Sequence, residues 1–207
     1  MDPNSGEILA MDTTTRYNLN DPYNLSTYYT DEEIQAMDEK AKSEAWYKMW
    51  RNFCVSDTFE PGSTIKPFTV ATGLEIGALK GDETYYCGGS LQIDEWEIKC
   101  ISYDNGGHGQ QNLTQVMENS CNVALMQIGL AIGPEEFCKY QSIFGFGQYT
   151  GIDLPGEAVG ILQSPDGMIK TDLATNSFGQ NFNVTMLQLA TGFCSLINGG
   201  DYYEPHL

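Results

Sequence analysis

Pro67 closes the run Glu60-Pro61-Gly62-Ser63-Thr64-Ile65-Lys66-Pro67, and no other residue constrains the fold of this chain so tightly. Proline has no backbone N–H to donate, so it fits an α-helix only in the first turn. The apolar residues that follow, Phe68, Val70, Ala71 and Leu74, therefore belong to a helix that begins close to Ser63 and runs to a stop at Gly81. Lys66 shares the face of Ser63, which brings its amine within reach of the hydroxyl. A serine hydroxyl is a poor nucleophile until a partner takes its proton, and a lysine can do so if its surroundings lower its pKa. The helix dipole and free amides at the same end favour negative charge on an attacked carbonyl. Taken alone, Ser-x-x-Lys is also the pattern of a serine N-cap beside a solvated lysine, and spacing by itself favours that plainer reading.

The rest of the chain supplies a frame for this helix. Gly6 to Met11, entered from the turn-like Asp2-Pro3-Asn4-Ser5, reads as an early strand, and Asn18 to Tyr29 as a polar loop. Thr30 and Glu33 make a capping box for a helix towards Trp50. Short strands and glycine-rich loops fill Gly81 to Gln110. Leu113, Val116 and Met117 begin a short helix, Asn122 to Ile132 is apolar enough to be buried, and Pro134 opens an amphipathic helix carrying Phe137, Tyr140 and Phe144. A loop over Phe144 to Gly160 follows. The last helix, Thr185 to Asn198, stops at Gly199-Gly200, after which Tyr202-Tyr203 could open a strand. Ser120-Cys121-Asn122 falls between the short helix and the apolar one.

Charge narrows what the chain can meet. With 10 Lys+Arg against 28 Asp+Glu among 207 residues, the net charge is -18, so a nucleic-acid partner is excluded and an anionic membrane surface disfavoured. A hydrophobic content of 41% argues against disorder at that charge. No apolar run is long enough to span a bilayer, and Met1-Asp2-Pro3 lacks the basic and apolar regions of a signal peptide, so any anchor is expected outside these residues.

Read in order, these stretches resemble the transpeptidase domain of the class B penicillin-binding proteins. Met1 to Met11 looks like that family's first strand pair, Glu60 to Lys66 like its nucleophile motif, and Ser120-Cys121-Asn122 like its Ser-x-Asn motif. Gly145 to Glu157, Ser177-Phe178-Gly179-Gln180 and Asn198-Gly199-Gly200 follow in the family's order. The resemblance implies an α/β (α+β) fold of the transpeptidase and serine β-lactamase kind, an antiparallel sheet flanked by helices with a helical subdomain and Ser63 in the cleft. It implies that Ser63 forms an acyl-enzyme with a peptidoglycan stem peptide or a β-lactam, that Lys66 accepts its proton, that Ser120 relays a proton to the departing D-alanine, and that Asn122 binds the substrate amide and Lys66. The Ser63 backbone N–H would be one oxyanion donor. Other cell-wall synthesis proteins would be partners, and the work would be done on the extracytoplasmic face of a bacterial membrane. The family's third motif, Lys-Thr/Ser-Gly, is expected after Asn198-Gly199-Gly200 and does not occur by Leu207; Lys170-Thr171-Asp172 lacks the glycine and lies too early. Residues 1–207 are therefore expected to be a partial domain, incomplete at the C-terminus and a poor catalyst alone. A D,D-carboxypeptidase differs only in using water as acceptor, and a non-catalytic β-lactam or wall-peptide sensor is the alternative of another class.

The chemistry needs no cofactor. Cys87, Cys100, His108 and Cys121, spaced Cys-x12-Cys-x7-His-x12-Cys, could nevertheless close a tetrahedral structural zinc site. Cys121 lies inside the Ser-x-Asn motif, where its side chain should point away from its neighbours, so a metal would brace the catalytic loop. The pattern also looks like the sporulation-type members of the class B family, a subset of which would carry zinc near the active site. A Cys87–Cys100 disulfide and buried free thiols compete with this reading, and Asp94 or Asp104 could replace Cys87. Cys54, Cys138 and Cys194 have no chemical case.

Overall fold

The computed structural model describes residues 1–14 and 16–207. Helices α1 (Asp31–Ala36) and α2 (Glu39–Trp50) replace the single helix expected from Thr30 to Trp50. The Thr30–Glu33 capping box forms as read, but Asp38 supplies a second cap, accepting from the Ala41 N–H at 2.7 Å, and extended backbone at Met37 separates the two. Trp46 and Trp50 donate their indole N–H groups to the carbonyls of Tyr23 and Pro22, so α2 holds the polar loop before it, and the loop's Leu25 is buried with Ala45 and Met49.

After a single helical turn, α3 (Phe53–Ser56), strand β1 (Thr58–Phe59) leads into a 3-10 turn at Gly62–Ile65 and helix α4 (Lys66–Glu75). Helix α4 stops before the expected Gly81 because Gly77 takes φ 72° and Leu79 donates back to the Gly73 carbonyl. Strands β2 (Thr84–Cys87) and β5 (Gly109–Asn112) pair antiparallel, while β3 (Ser90–Ile93) and β4 (Trp96–Lys99) form a separate hairpin between them. Helices α5 (Leu113–Glu118), α6 (Asn122–Ile132) and α7 (Pro134–Ile143) follow as the sequence predicts. Helix α8 (Lys170–Asn176), strand β6 (Val184–Thr185), which pairs with β1, and α9 (Met186–Ile197) complete the frame. The expected mixed α/β architecture is present, with small antiparallel sheets among helices.

Helix α6 is the axis of the core. Val123, Ala124, Leu125, Met126, Ile128, Gly129 and Ile132 are all buried in it, the pattern of a helix surrounded on every side, and each large apolar chain contributes about 1.5–3 kcal/mol by leaving water. Its neighbours α4 and α8 pack close enough that a Cβ on Gly129 would stand 2.6 Å from the Ser177 Cβ.

Two expected strands do not form. From Gly6 to Met11 only Glu7 pairs, in a single bridge to His206, and the segment at Tyr202-Tyr203 is irregular. A strand extends only as far as its partner runs beside it, and Pro205, next to His206, has no N–H to continue a ladder. Lys170-Thr171-Asp172 opens a helix, not a strand, in keeping with its exclusion as the third motif.

Candidate active site

Ser63 sits exposed in the 3-10 turn, and Lys66 opens α4 with its side chain 2% exposed. Gly62 enters this turn at φ 57°, donating its N–H to the Gly179 carbonyl at 2.8 Å. Gly179 has φ 97°, and a Cβ there would lie 1.9 Å from the Gly62 oxygen, so the approach requires glycine. Thr69 Oγ1 donates to the Ser177 carbonyl and the Asn181 N–H to Glu60 Oε1, which fixes Ser177-Phe178-Gly179-Gln180 against the serine turn. The sequence places this tetrapeptide only by its order in the family, because the contact that needs Gly179 is tertiary.

The second half of the site is the turn from α5 into α6. Its Ser120 adopts φ 51°, a left-handed conformation that a non-glycine residue holds only where its surroundings insist. Ser120 and Cys121 donate their N–H groups back to Met117 and Val116, closing α5. The turn directs Ser120 and Asn122 to one side and the fully buried Cys121 thiol to the other.

Lys66 Nζ donates to Ser120 Oγ at 2.8 Å, to the Ser120 carbonyl at 2.7 Å and to Asn122 Oδ1 at 2.7 Å. Ser120 Oγ in turn donates to Ser63 Oγ at 3.1 Å. All four expected residues therefore meet, but the amine reaches the Ser63 hydroxyl through Ser120, where direct contact was expected. Three acceptors satisfy an ammonium in full. Burial opposes that charge and lowers the Lys66 pKa from 10.5 to about 8, despite opposing attraction from the Cys100 and Cys121 sulfurs. A proton can thus leave this amine near neutral pH.

On the far side of the Ser120–Asn122 turn, the ligand atoms of Cys87, Cys100, His108 and Cys121 all lie within 4.8 Å of one another. Cys100 Sγ stands 3.7 Å from His108 Nδ1, and ligands around a tetrahedral zinc stand about 3.6 Å apart, so the group could hold a metal. Asp94 and Asp104 are not needed, since Cys87 completes the set, and all its thiols are free of disulfides. Burial pushes the Cys100 thiol up, but the backbone N–H groups of Ser102, Val123 and Asn122 and the Ser102 hydroxyl outweigh it and hold the thiol below its usual range. Cys54, Cys138 and Cys194 stand apart from this cluster, each with burial raising its thiol.

A serine at a helix start, linked through a second serine to a buried lysine on a mixed α/β frame, defines the acyltransferases that activate serine with lysine instead of histidine. All of residues 1–207 match the penicillin binding protein transpeptidase domain, and the chain belongs to that family. It is 36% identical over its whole length to stage V sporulation protein D of Bacillus subtilis, covering 29% of that protein. It is 32% identical over 98% of its length to the peptidoglycan D,D-transpeptidase FtsI of Escherichia coli K12, covering 30% of it. The penicillin-binding protein PBP2 of Helicobacter pylori, solved in complex with MreC, superposes on the full chain with a TM-score of 0.81 at 25% identity and is 38% covered. The transpeptidase domain of Burkholderia pseudomallei penicillin-binding protein 3 matches 75% of the chain, TM-score 0.71, at 27% identity, with 46% of it covered. The chain thus spans about 30% of the length of these curated relatives.

Proposed function

We propose that this chain carries the acylating half of a D,D-transpeptidase that cross-links peptidoglycan stem peptides. The observation that supports it is the hydrogen-bonded series Ser63–Ser120–Lys66–Asn122. Ser63 Oγ attacks the penultimate D-alanine carbonyl while its proton passes to neutral Lys66, by way of Ser120. The Ser63 N–H steadies the oxyanion. The C–N bond then breaks, Ser120 delivers a proton to the leaving D-alanine nitrogen, and the acyl chain stays on Ser63. An amine from a second stem peptide attacks this ester, forms the cross-link and returns the proton to Ser63 Oγ. β-Lactams acylate the same oxygen.

The second oxyanion donor and the cation for the substrate carboxylate come, on this reading, from a Lys-Thr/Ser-Gly strand outside residues 1–207. The protein works on the extracytoplasmic side of the membrane, held by an anchor elsewhere in its sequence; among the described residues no helix is long and apolar enough to cross a bilayer. The complex of the Helicobacter pylori relative with MreC supports other cell-wall proteins as partners. The test is labelling of the full-length protein with fluorescent penicillin. We expect one adduct, located at Ser63 by peptide mass spectrometry and lost in Ser63→Ala; an adduct that survives this change would overturn the assignment.

Cys87, Cys100, His108 and Cys121 bind, on the same reading, a structural zinc that braces the Ser120–Asn122 turn from behind. Elemental analysis should find one equivalent of zinc, and Cys121→Ser should lose it together with part of the melting temperature. Zinc-free protein with Cys100 and Cys121 freely alkylated in the native state would remove the metal.

A further inference from the structure

Ser63 opens onto a groove of about 520 Å³ that strand β4 of the β3–β4 hairpin also lines. Gly62, Ser63 and Asn122 line it together with all of Trp96, Glu97, Ile98 and Lys99. Successive strand residues point to opposite faces, so a groove that touches four in a row runs along the edge of β4. That edge is free: among the described residues β4 pairs only with β3. The pairing register, Ile93 opposite Trp96 and Leu91 opposite Ile98, continues to a Cys100 N–H bond to the Gly89 carbonyl. Counting back from that bonded pair, Ile98 and Trp96 turn their backbone groups towards β3, and Glu97 and Lys99 turn their N–H and C=O groups outward into the groove. Ile93 is buried and Leu91 and Ile98 half-buried against the core, while Trp96, on the same face but past the core's margin, is 60% exposed. The hairpin tip carries Asp94, Glu95 and Glu97, all exposed. Lys99 places its cation over the Tyr103 ring, 3.9 Å from the centroid.

We infer that the outer edge of β4 is the docking site of the amine-bearing acceptor peptide, which adds to the hairpin as an extended strand beneath Trp96. This deepens the transpeptidase reading and rests on it. Two stem peptides must reach Ser63. The donor must bring its C-terminal carboxylate close to Ser63, where the three acidic side chains at the tip repel it, whereas the acceptor keeps its own carboxylate away and presents a side-chain amine. The acceptor arrives with a protonated amine, which they attract before it gives up its proton and attacks. Outward N–H and C=O groups at Glu97 and Lys99 offer the main-chain bonds of strand addition.

The experiment measures how the acyl-enzyme of the full-length protein divides between cross-linking and hydrolysis, given a thioester donor and a synthetic amine-bearing stem peptide. Penicillin labelling counts the folded sites in each sample. Glu97→Pro deletes one outward N–H and the Ser90 Oγ–Glu97 Oε1 bond while leaving the β3–β4 backbone ladder in place, and should lower the cross-link-to-hydrolysis ratio about tenfold. Glu97→Gln keeps the N–H and removes the charge, and should raise the half-saturating acceptor concentration about threefold at low salt, an effect that fades as salt is added. The Gln variant is conservative enough to keep the test open if the Pro variant fails to fold. Wild-type partitioning in the labelled variants would overturn the edge while leaving the transpeptidase reading intact. A wild-type protein that is not labelled at Ser63 would end both.

Discussion

Lys66 carries a buried amine whose three hydrogen bonds all run to the Ser120–Asn122 turn. Hydrogen bonding favours the ammonium and burial the free amine, and burial prevails, lowering the pKa to about 8. Penicillin acylation should therefore rise with pH to a plateau, with its midpoint near 8, and Lys66→Ala should abolish the rise along with most of the rate. A flat profile from pH 6 to 9 in the wild-type protein would exclude Lys66 as the base. The same shift has a stability consequence with a definite sign. The unfolded lysine holds its proton up to about 10.5 and the folded one only to about 8, so the unfolded chain binds more protons between those values. Stability should rise with pH across that window, by about 3 kcal/mol. Subtracting the urea stability curve of Lys66→Met from that of the wild type isolates this contribution from nearby thiols and tyrosines. The meeting of these four candidate residues was legible in the sequence because two short motifs specify them, each set by local backbone. The route of the proton was not, since spacing shows that a lysine can reach a serine but not that another side chain, from 54 positions away, stands between them.

At the scale of elements, legibility followed the strength of the local signal. Helix α6 could be bounded from its unbroken apolar run and the Gly133-Pro134 stop. The division of α1 from α2 could not, because one aspartate cap competed with an apolar period that continues through it. Helix α8 leaves little signal in the sequence because its first turn is polar, and β1 and β6 are two residues each, too short to show a period of two. What ties these elements to the serine is close packing. Gly129 meets Ser177, whose carbonyl takes the Thr69 hydroxyl and whose neighbour Gly179 holds Gly62. Alanine at Gly129 would gain about 1 kcal/mol in helix propensity. It would also force a methyl group to 2.6 Å from the Ser177 Cβ, and overpacking of this kind costs about 1–3 kcal/mol. Gly129→Ala should therefore be destabilised on balance in urea titration. It should also label more slowly with penicillin, because the strain is passed to the Gly179–Gly62 contact. Higher stability together with unchanged labelling would show that α6 and α8 separate freely.

The whole molecule assembles its site from distant stretches: the serine turn at 62–66, the 120–122 turn and the 177–180 segment that braces the first. Among the described residues, the groove beside Ser63 nonetheless offers the substrate carboxylate no free cation: Lys66 is buried and committed to Ser120 and Asn122, and Lys99, which also lines the groove, is turned onto the Tyr103 ring. A net charge of -18 adds a general repulsion of anionic ligands. On the transpeptidase reading, a Lys-Thr/Ser-Gly strand would supply the cation this groove lacks and a second oxyanion donor beside the Ser63 N–H. Loss of one such donor costs about 2.7–4 kcal/mol in other serine enzymes, equivalent to about 10²–10³ in rate. Residues 1–207 purified alone should therefore acylate at least about 10²-fold more slowly than a longer chain that includes the Lys-Thr/Ser-Gly motif. Stopped-flow labelling of the two proteins at equal folded concentration makes the comparison. Equal rates would mean that the groove formed by residues 1–207 already holds every group acylation requires, and that the carboxylate is met by a cation among them, with Lys99 the first to substitute.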